Sequence, residues 1–504
     1  MLTPRTRRPL VFTAVILAMF MAAIEATIIA TSMPTIVARL GDMPLYSWVF
    51  SSYLLMQAVS VPIYGKLSDL FGRKRVFLFG LSTFLASSVL CGLAQSMSML
   101  VAFRFLQGLG AGAVQPLAMT LIGDLYEVEE RARVQAYVSS VWGISSIVGP
   151  MSGALIVQYL DWAWVFWINV PFAVAAIVIV SLYLHEEVER KRPHIDYAGA
   201  GFLLAGLSVL MLMLTHIADL TMPRLLGLMA IVGLAAVLFI RQEQRAREPM
   251  VSLSLWKTPL VAVANSATLV AGIAMIGILN YLPTFIQGVL GTSAMVAGLA
   301  VSAMSIGWPL ASLTGGRLLM RVGSRKVARA GGIALFFGSL ILALFANAGV
   351  MVAAAGAFVL GMGMGLLHIS FLISIQSSVP WSQRGAATAS YILMRILGSA
   401  IGSAIFGGML NYSLQRYLDN HALTEQVSIA DIQSLLDGAR AGHAIGEAAT
   451  ENLRAGLSYS LHWVLWGVFL AAVVTLVIAW SAKEMQRSAE SEPGSADKQS
   501  SQQR

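Results

Sequence analysis

The stretch AAIEATIIATSMPTIV, residues 22–37, places a glutamate inside an otherwise apolar run from Leu10 to Val37. The other acidic residues fall in loops, in tails or at the ends of apolar blocks, so Glu25 is the one carboxylate expected at hydrocarbon depth. A charge there costs about 2.5–3.5 kcal/mol on insertion scales, which makes an intramembrane ionisable group a functional candidate by default. Counting helix rise from Leu10 puts Glu25 roughly 22 Å from the inner edge of the membrane, and the same count puts Arg104 roughly 8 Å below the outer edge. The two levels agree, and Gln107 follows Arg104 nearly a turn deeper on the same face. A Glu25–Arg104 pair, direct or through water, has two readings. It is a static ion pair that fixes packing, or it is a proton carrier, because burial disfavours a charged carboxylate while a nearby cation favours it. A cavity that opens and closes would alternate those two influences, and the anionic form would attract a cationic ligand.

Three further sets of residues carry information. In GKLSDLFGRKR, residues 65–75, Gly65 and Gly72 permit a tight turn, Asp69 can face a helix N-terminus, and Arg73, Lys74 and Arg75 anchor a polar surface. In WGISSIVGPMSGALI, Gly149 and Pro150 bend a helix, and Gly149 with Gly153 makes a small-residue face for close helix contact. On spacing alone that face reads as packing. Gln57, Gln107, Gln115, Asn265, Asn280 and Arg395 are polar groups at the depth of a cavity, some of them simple interhelical hydrogen-bonders. Arg395, roughly 12 Å from the inner edge by helix rise, needs a carbonyl or water partner and is placed to line a cavity. His216 falls at a span end and His368 near one, with no metal-ligand spacing. No nucleophile or metal constellation stands at membrane depth, so neither catalytic nor metal-binding residues are assigned.

The elements that must position these groups follow from composition. The chain has 504 residues, of which 57% are hydrophobic and 12% charged, about half the charge of an ordinary soluble domain. Its apolar residues come in blocks of about 18–25, the length of helix that crosses a bilayer, rather than in short alternating strands. Fourteen spans are expected, near 10–34, 47–65, 76–95, 99–123, 134–158, 164–184, 197–216, 225–240, 259–282, 295–315, 330–346, 349–374, 387–411 and 459–480. With the N-terminus inside, roughly 26 of the 33 Lys and Arg lie on inner segments, the bias that sets orientation. Both termini are then cytoplasmic. The net charge of +8 is spread over short loops and forms no block, which argues for topology rather than a nucleic-acid partner. The basic N-terminus before the first apolar run resembles a signal peptide, but the run is longer than such peptides have and is followed by many like it. The one cysteine, Cys91, excludes an intrachain disulfide.

The chain repeats itself. GKLSDLFGRKR matches GRLLMRVGSRK, residues 316–326, and Arg131 with Gly149 matches Arg384 with Gly402, at nearly the same offset. Two related six-helix halves follow, residues 1–184 and 259–482. Residues 185–258 add spans seven and eight between them, 412–458 form a long outer loop, and 483–504 a disordered tail. Parallel repeats of this kind are a transporter architecture, with substrate held at their interface near midplane.

At these residues the sequence resembles the major facilitator superfamily, in its fourteen-helix drug:proton antiporter branch of the EmrB/QacA type, over about residues 10–480. GKLSDLFGRKR is similar to the superfamily's signature between spans two and three, RFLQGLGAGAVQP (104–116) to its span-four motif, and GPMSGA to its span-five antiporter motif. WAWVFWINVP (162–171) and IEATIIATSMP resemble two further segments of the branch. Glu25 stands where the family generally has aspartate, Ala154 replaces the last glycine of the antiporter motif, and Ala163 a frequent arginine. The resemblance implies an all-α membrane protein that is not an enzyme and needs no cofactor. It implies an inner-membrane antiporter that exchanges protons for amphipathic, cationic hydrophobic compounds by rocking two bundles about a central cavity. Glu25 and Arg104 would couple the proton, and Gly65, Asp69, Gly72 and Arg73 would latch the cytoplasmic side. Export of an endogenous siderophore, lipid or metabolite is the rival within transport, and a receptor without flux the rival outside it. The sequence carries no signal for or against a periplasmic adaptor.

Overall fold

A computed structural model describes residues 6–126, 128–186, 196–217, 220–246, 249, 253–380, 383–420 and 447–481; inside its helices, side chains including those of Lys66, Asp69 and Arg131 are not described. The order is α1 (Arg8–Leu40), α2 (Tyr46–Phe71), α3 (Arg73–Gly92), α4 (Met97–Leu125), α5 (Val128–Tyr159), the short α6 (Trp164–Trp167), α7 (Asn169–Tyr183), α8 (Tyr197–Thr215) and α9 (Met222–Arg245). It continues with α10 (Pro259–Thr284), α11 (Ala294–Val322), α12 (Ser324–Phe345), α13 (Val350–Ser378), α14 (Arg384–Asn420) and α15 (Glu447–Ser481). Helix is what lipid imposes, because each backbone N–H and C=O must find its partner within the segment.

Twelve helices among the described residues are long and apolar enough to cross a membrane. The second and fifth expected spans coincide with α2 and α5, which are not among the twelve. The count of fourteen crossings therefore requires these two helices to span as well. Near the C-terminus the structure moves the expected boundaries. The helix of span thirteen runs on to Asn420 and that of span fourteen begins at Glu447, so the expected loop 412–458 is helical at both ends. Its middle, residues 421–446, and the tail 483–504 lie outside the described residues.

Local chemistry explains several junctions. Ser96 Oγ accepts from Met99 N at 3.2 Å to start α4, and Asp196 Oδ1 accepts from Gly199 N at 2.8 Å to start α8. Gly72 (φ 87°) joins α2 to α3 and Gly323 (φ 85°) joins α11 to α12. Both lie at the same place in the repeated motif, and only glycine adopts that conformation without strain. The turn is thus one repeated device.

Helices α1–α7 form one bundle and α10–α15 a second; α2 meets α14, α5 meets α11 and α1 meets α10 across the interface. The inserted α8 packs on α2 and α14, where Leu55, Val59, Met211, Ala400 and Ala404 share a cluster. Helix α9 packs chiefly on α8 and presents Leu226, Met229, Leu234 and Ile240 outward, a surface suited to lipid rather than water.

Polar contacts between the bundles gather at the end away from the basic loops. There Tyr46 OH donates to Asn280 O at 2.6 Å and lies 2.9 Å from Thr284 Oγ1. Ser403 Oγ donates to Ser47 O at 3.2 Å and Asn411 Nδ2 to Pro44 O at 3.3 Å. The molecule is sealed at that end.

Candidate functional site

Glu25 sits in the middle of α1 with its side chain wholly enclosed. Its Oε1 pairs with Arg104 Nη1 from α4, and its Oε2 accepts from Asn169 Nδ2 at the start of α7. The arginine has further partners. Its Nε donates to Val49 O at 3.1 Å, its Nη1 also reaches Gln107 Oε1 at 2.6 Å, and the guanidinium lies 4.1 Å from the centre of the Tyr53 ring. Gln107 Nε2 then donates to Ser88 Oγ at 2.8 Å, and the Cys91 thiol lies 3.6 Å from Gln107 Oε1. Five helices of the first bundle thereby converge on one buried carboxylate, in a setting where charge-assisted bonds are strong and a missing partner is costly.

Helix α5 fixes the helix that carries Glu25. Thr31 Oγ1 donates to Pro150 O at 3.1 Å, and Thr27 Oγ1 lies 3.4 Å from Ser145 O. A side chain added at Gly153 would meet Thr31 Oγ1 at 2.5 Å and Ser32 Oγ at 2.9 Å, and one at Gly149 would collide with Thr27. Gly149, Pro150 and Gly153 therefore seat α1 about half a turn to two turns beyond Glu25. Ala154, where the resemblance leads one to expect glycine, is buried against the other bundle, and Gly298 on α11 supplies the room. Ala163 is buried in the turn before α6, its N–H donating to Asp161 Oδ1 at 3.0 Å.

On the basic side, Arg73 forms an ion pair with Asp124 at the end of α4. Glu186 accepts from Arg73 N at 3.0 Å and Lys74 N at 2.9 Å, which caps α3. Among the described residues the acid paired with the Arg73 guanidinium is Asp124, which the sequence reading did not single out. Asp69 lies on α2 with its side chain outside the described residues. A side chain at Gly65 would meet nothing within 4 Å, so only Gly72 has a steric reason to be glycine.

The six residues expected to line a cavity are dispersed. Gln107 belongs to the Glu25 network, Asn265 Nδ2 donates to Ser390 Oγ at 2.9 Å, and Asn280 is enclosed at the seal. Gln107 and Asn265 are used in interhelical hydrogen bonds, which consume polar groups at the same depth as a cavity does, whereas the Asn280 side-chain amide is buried without a hydrogen-bond partner among the described residues. Gln57 and Gln115 are half-buried. Arg395 lines a cavity, together with His368 and Tyr391. His368 lies well within α13 rather than near a span end. Asn169, Ser88 and Asp124 were missed; Asn169 had a signal, since it is the asparagine of WAWVFWINVP.

Sequence comparison matches residues 15–403 to the Major Facilitator Superfamily. The chain belongs to that superfamily. It is 33% identical over 445 residues to the multidrug transporter protein MdtP of Bacillus subtilis (strain 168), covering 86% of this chain and 82% of the relative. Identity is 32% over 476 residues to multidrug resistance protein 3 of the same organism, covering 92% of each. The multidrug efflux pump SdrM of Staphylococcus aureus (strain N315) is 31% identical over 413 residues, covering 80% of this chain and 89% of the pump. Among solved structures, a bacterial homolog of the human lysosomal transporter Spinster, inward-facing and unoccupied, superimposes with a TM-score of 0.67 at 14% identity, covering 95% of this chain and 97% of the other. The nucleoside transporter NupG gives 0.59 at 14% identity, covering 91% and 100%. The transporter thus shares the superfamily's fold as well as its sequence, and as a superfamily member it is a multi-pass membrane protein rather than an enzyme.

Proposed function

We propose that the protein is a proton-driven exporter of amphipathic compounds, working by alternating access between the bundles of residues 1–184 and 259–482. The observation that carries this reading is the enclosed Glu25, bridged to α4 through Arg104 and to α7 through Asn169. A proton arriving at Oε1 removes the charge that Arg104 answers and loosens the tie between α1 and α4. Such a change at one carboxylate biases a bistable packing. Arg104, freed in part, keeps its bonds to Val49 and Gln107 and so remains in place. Relatives named as multidrug transporters and as an efflux pump support export of drug-like compounds.

The basic loops orient the protein with both termini in the cytoplasm of a cell whose inner membrane holds it. The seal at Tyr46 then faces outward, and the bundles part on the cytoplasmic side to load. One charge crossing 100 mV supplies about 2.3 kcal/mol, so a proton entering from outside can drive the return. Glu25 is too enclosed by Arg104 and Asn169 to meet a cationic substrate here, so a preference for cations has no support from this site.

Purified protein in proteoliposomes, loaded with a fluorescent amphipath and given an imposed pH gradient, tests the reading. Wild type should export against the dye gradient, and Glu25→Gln should not, while inserting and folding normally. Export by Glu25→Gln at the wild-type rate would refute the proton-carrier role.

A further inference from the structure

Arg395 is the charged side chain at membrane depth that the Glu25 network does not absorb. It lies on α14 eleven residues in from Arg384 and is half-buried. Among the described residues its guanidinium makes no hydrogen bond or ion pair. It borders a narrow cavity shared with Thr268 of α10, Trp308 of α11, His368 and Phe371 of α13, and Tyr391 of α14.

These rings form a continuous wall. His368 lies 5.8 Å from Trp308 and 5.6 Å from Tyr391 between ring centres, and His368 Nδ1 is 3.2 Å from Tyr391 OH. The residues that line the cavity belong to the second bundle, and α11, which carries Trp308, packs on α5 of the first. The cavity also lies on the basic side of the seal at Tyr46, the side on which a substrate loads in the proposed cycle. The polar groups around it are an arginine, a histidine, two hydroxyls and the Trp308 indole, and among the described residues no carboxylate lines it.

The two halves are therefore opposite in what they offer a ligand. The first encloses its carboxylate behind an arginine and an asparagine. The second leaves a guanidinium unpaired beside aromatic faces. An unpaired charge at this depth is costly, and that cost is relieved when an anion arrives. A guanidinium fork suits the two oxygens of a carboxylate or the three of a sulfonate, and the rings suit the apolar body behind it.

We propose that Arg395 and its aromatic walls receive a negatively charged oxygen group, a carboxylate or sulfonate, on the exported amphipath. This rests on the export reading above and names the charge of its substrate. In the conformation described the cavity has room for about one water molecule, so the anionic group enters as the bundles part. A cationic amphipath is repelled at the same point.

Two xanthene dyes of opposite charge test this: carboxyfluorescein, an anion, and rhodamine 6G, a cation. Fluorescence anisotropy titrations on the purified full chain in neutral detergent, without any gradient, give both affinities. Wild type should bind carboxyfluorescein at least tenfold more tightly than rhodamine 6G. Arg395→Gln should reduce that ratio at least tenfold by weakening the anion and strengthening the cation, and Arg395→Lys should fall between. A wild-type preference for rhodamine 6G, or no binding of carboxyfluorescein, overturns the proposal without recourse to any variant. An unchanged ratio in Arg395→Gln overturns it as well. Failure of the export reading shows up elsewhere, as wild-type export by Glu25→Gln vesicles, which these titrations do not measure.

Discussion

Asn169 donates its side-chain amide to Glu25 Oε2, the oxygen opposite the one held by Arg104. The two residues come from helices at opposite ends of the first bundle's sequence, so the carboxylate is held on both sides by groups that pack together only once the bundle is complete. Asn169 Oδ1 has no partner, which leaves the bond to Glu25 as what its side chain supplies.

Removing that bond should impair transport more than folding. A hydrogen bond to a charged group is worth about 1.5–3 kcal/mol, and most of that here holds one orientation of the carboxylate. Asn169→Ala should lower gradient-driven dye export about tenfold, with a melting midpoint by intrinsic fluorescence within a few degrees of wild type. Asn169→Asp should be worse in export, since it sets a second carboxylate against the first. Export at the wild-type rate by both variants would show that Asn169 only fills space.

Arg104→Lys tests whether charge alone suffices. The guanidinium reaches Glu25, Gln107 and Val49 O at once and stacks on Tyr53. A single ammonium cannot reproduce that fork. Export should fall at least tenfold and stability by about 2 kcal/mol. Arg104→Ala, which leaves Glu25 buried and unpaired, should cost about 3–5 kcal/mol and be read as loss of folded protein in size-exclusion profiles. Full export by Arg104→Lys would mean that the site needs only a positive charge.

Helix rise was enough to set Glu25 level with Arg104, because a spanning helix has few ways to shift along its axis. Rotation about the axis was not legible, and that is where the reading of polar residues failed. Gln107 and Asn265 stand at the depth of a cavity, yet the turn of α4 and of α10 brings one to Ser88 in the Glu25 network and the other to Ser390 of α14. Asn169 escaped because it opens α7 after the short α6, where no periodic pattern gives its direction. Asp124 escaped because an acid at the end of a span looks like an ordinary cap until Arg73 is brought beside it. The repeat, by contrast, announced a shared turn, and Gly72 and Gly323 adopt nearly the same backbone angles.

The outer seal gives the last prediction. Tyr46 OH donates to the backbone of Asn280 and lies beside Thr284 Oγ1, tying the start of α2 to the end of α10. Its ring is wholly buried and packs 5.4 Å from the centre of Tyr281, so Tyr46→Phe removes the hydroxyl and little of the packing. Losing about 1 kcal/mol of net hydrogen bonding from the sealed state alone should raise the population open at that end about fivefold. The reporter is Ser47→Cys, which places a thiol against Gly407 of α14, one residue along from Tyr46, in a region buried while the seal is shut. The chain's own Cys91 is buried in the first bundle, so background labelling by a membrane-impermeant maleimide is low. In the Ser47→Cys background, Tyr46→Phe should accelerate labelling about fivefold from the side opposite the basic loops. Equal labelling rates with and without the hydroxyl would show that the ring stacking, and not the bond to Asn280, keeps the bundles together at this end.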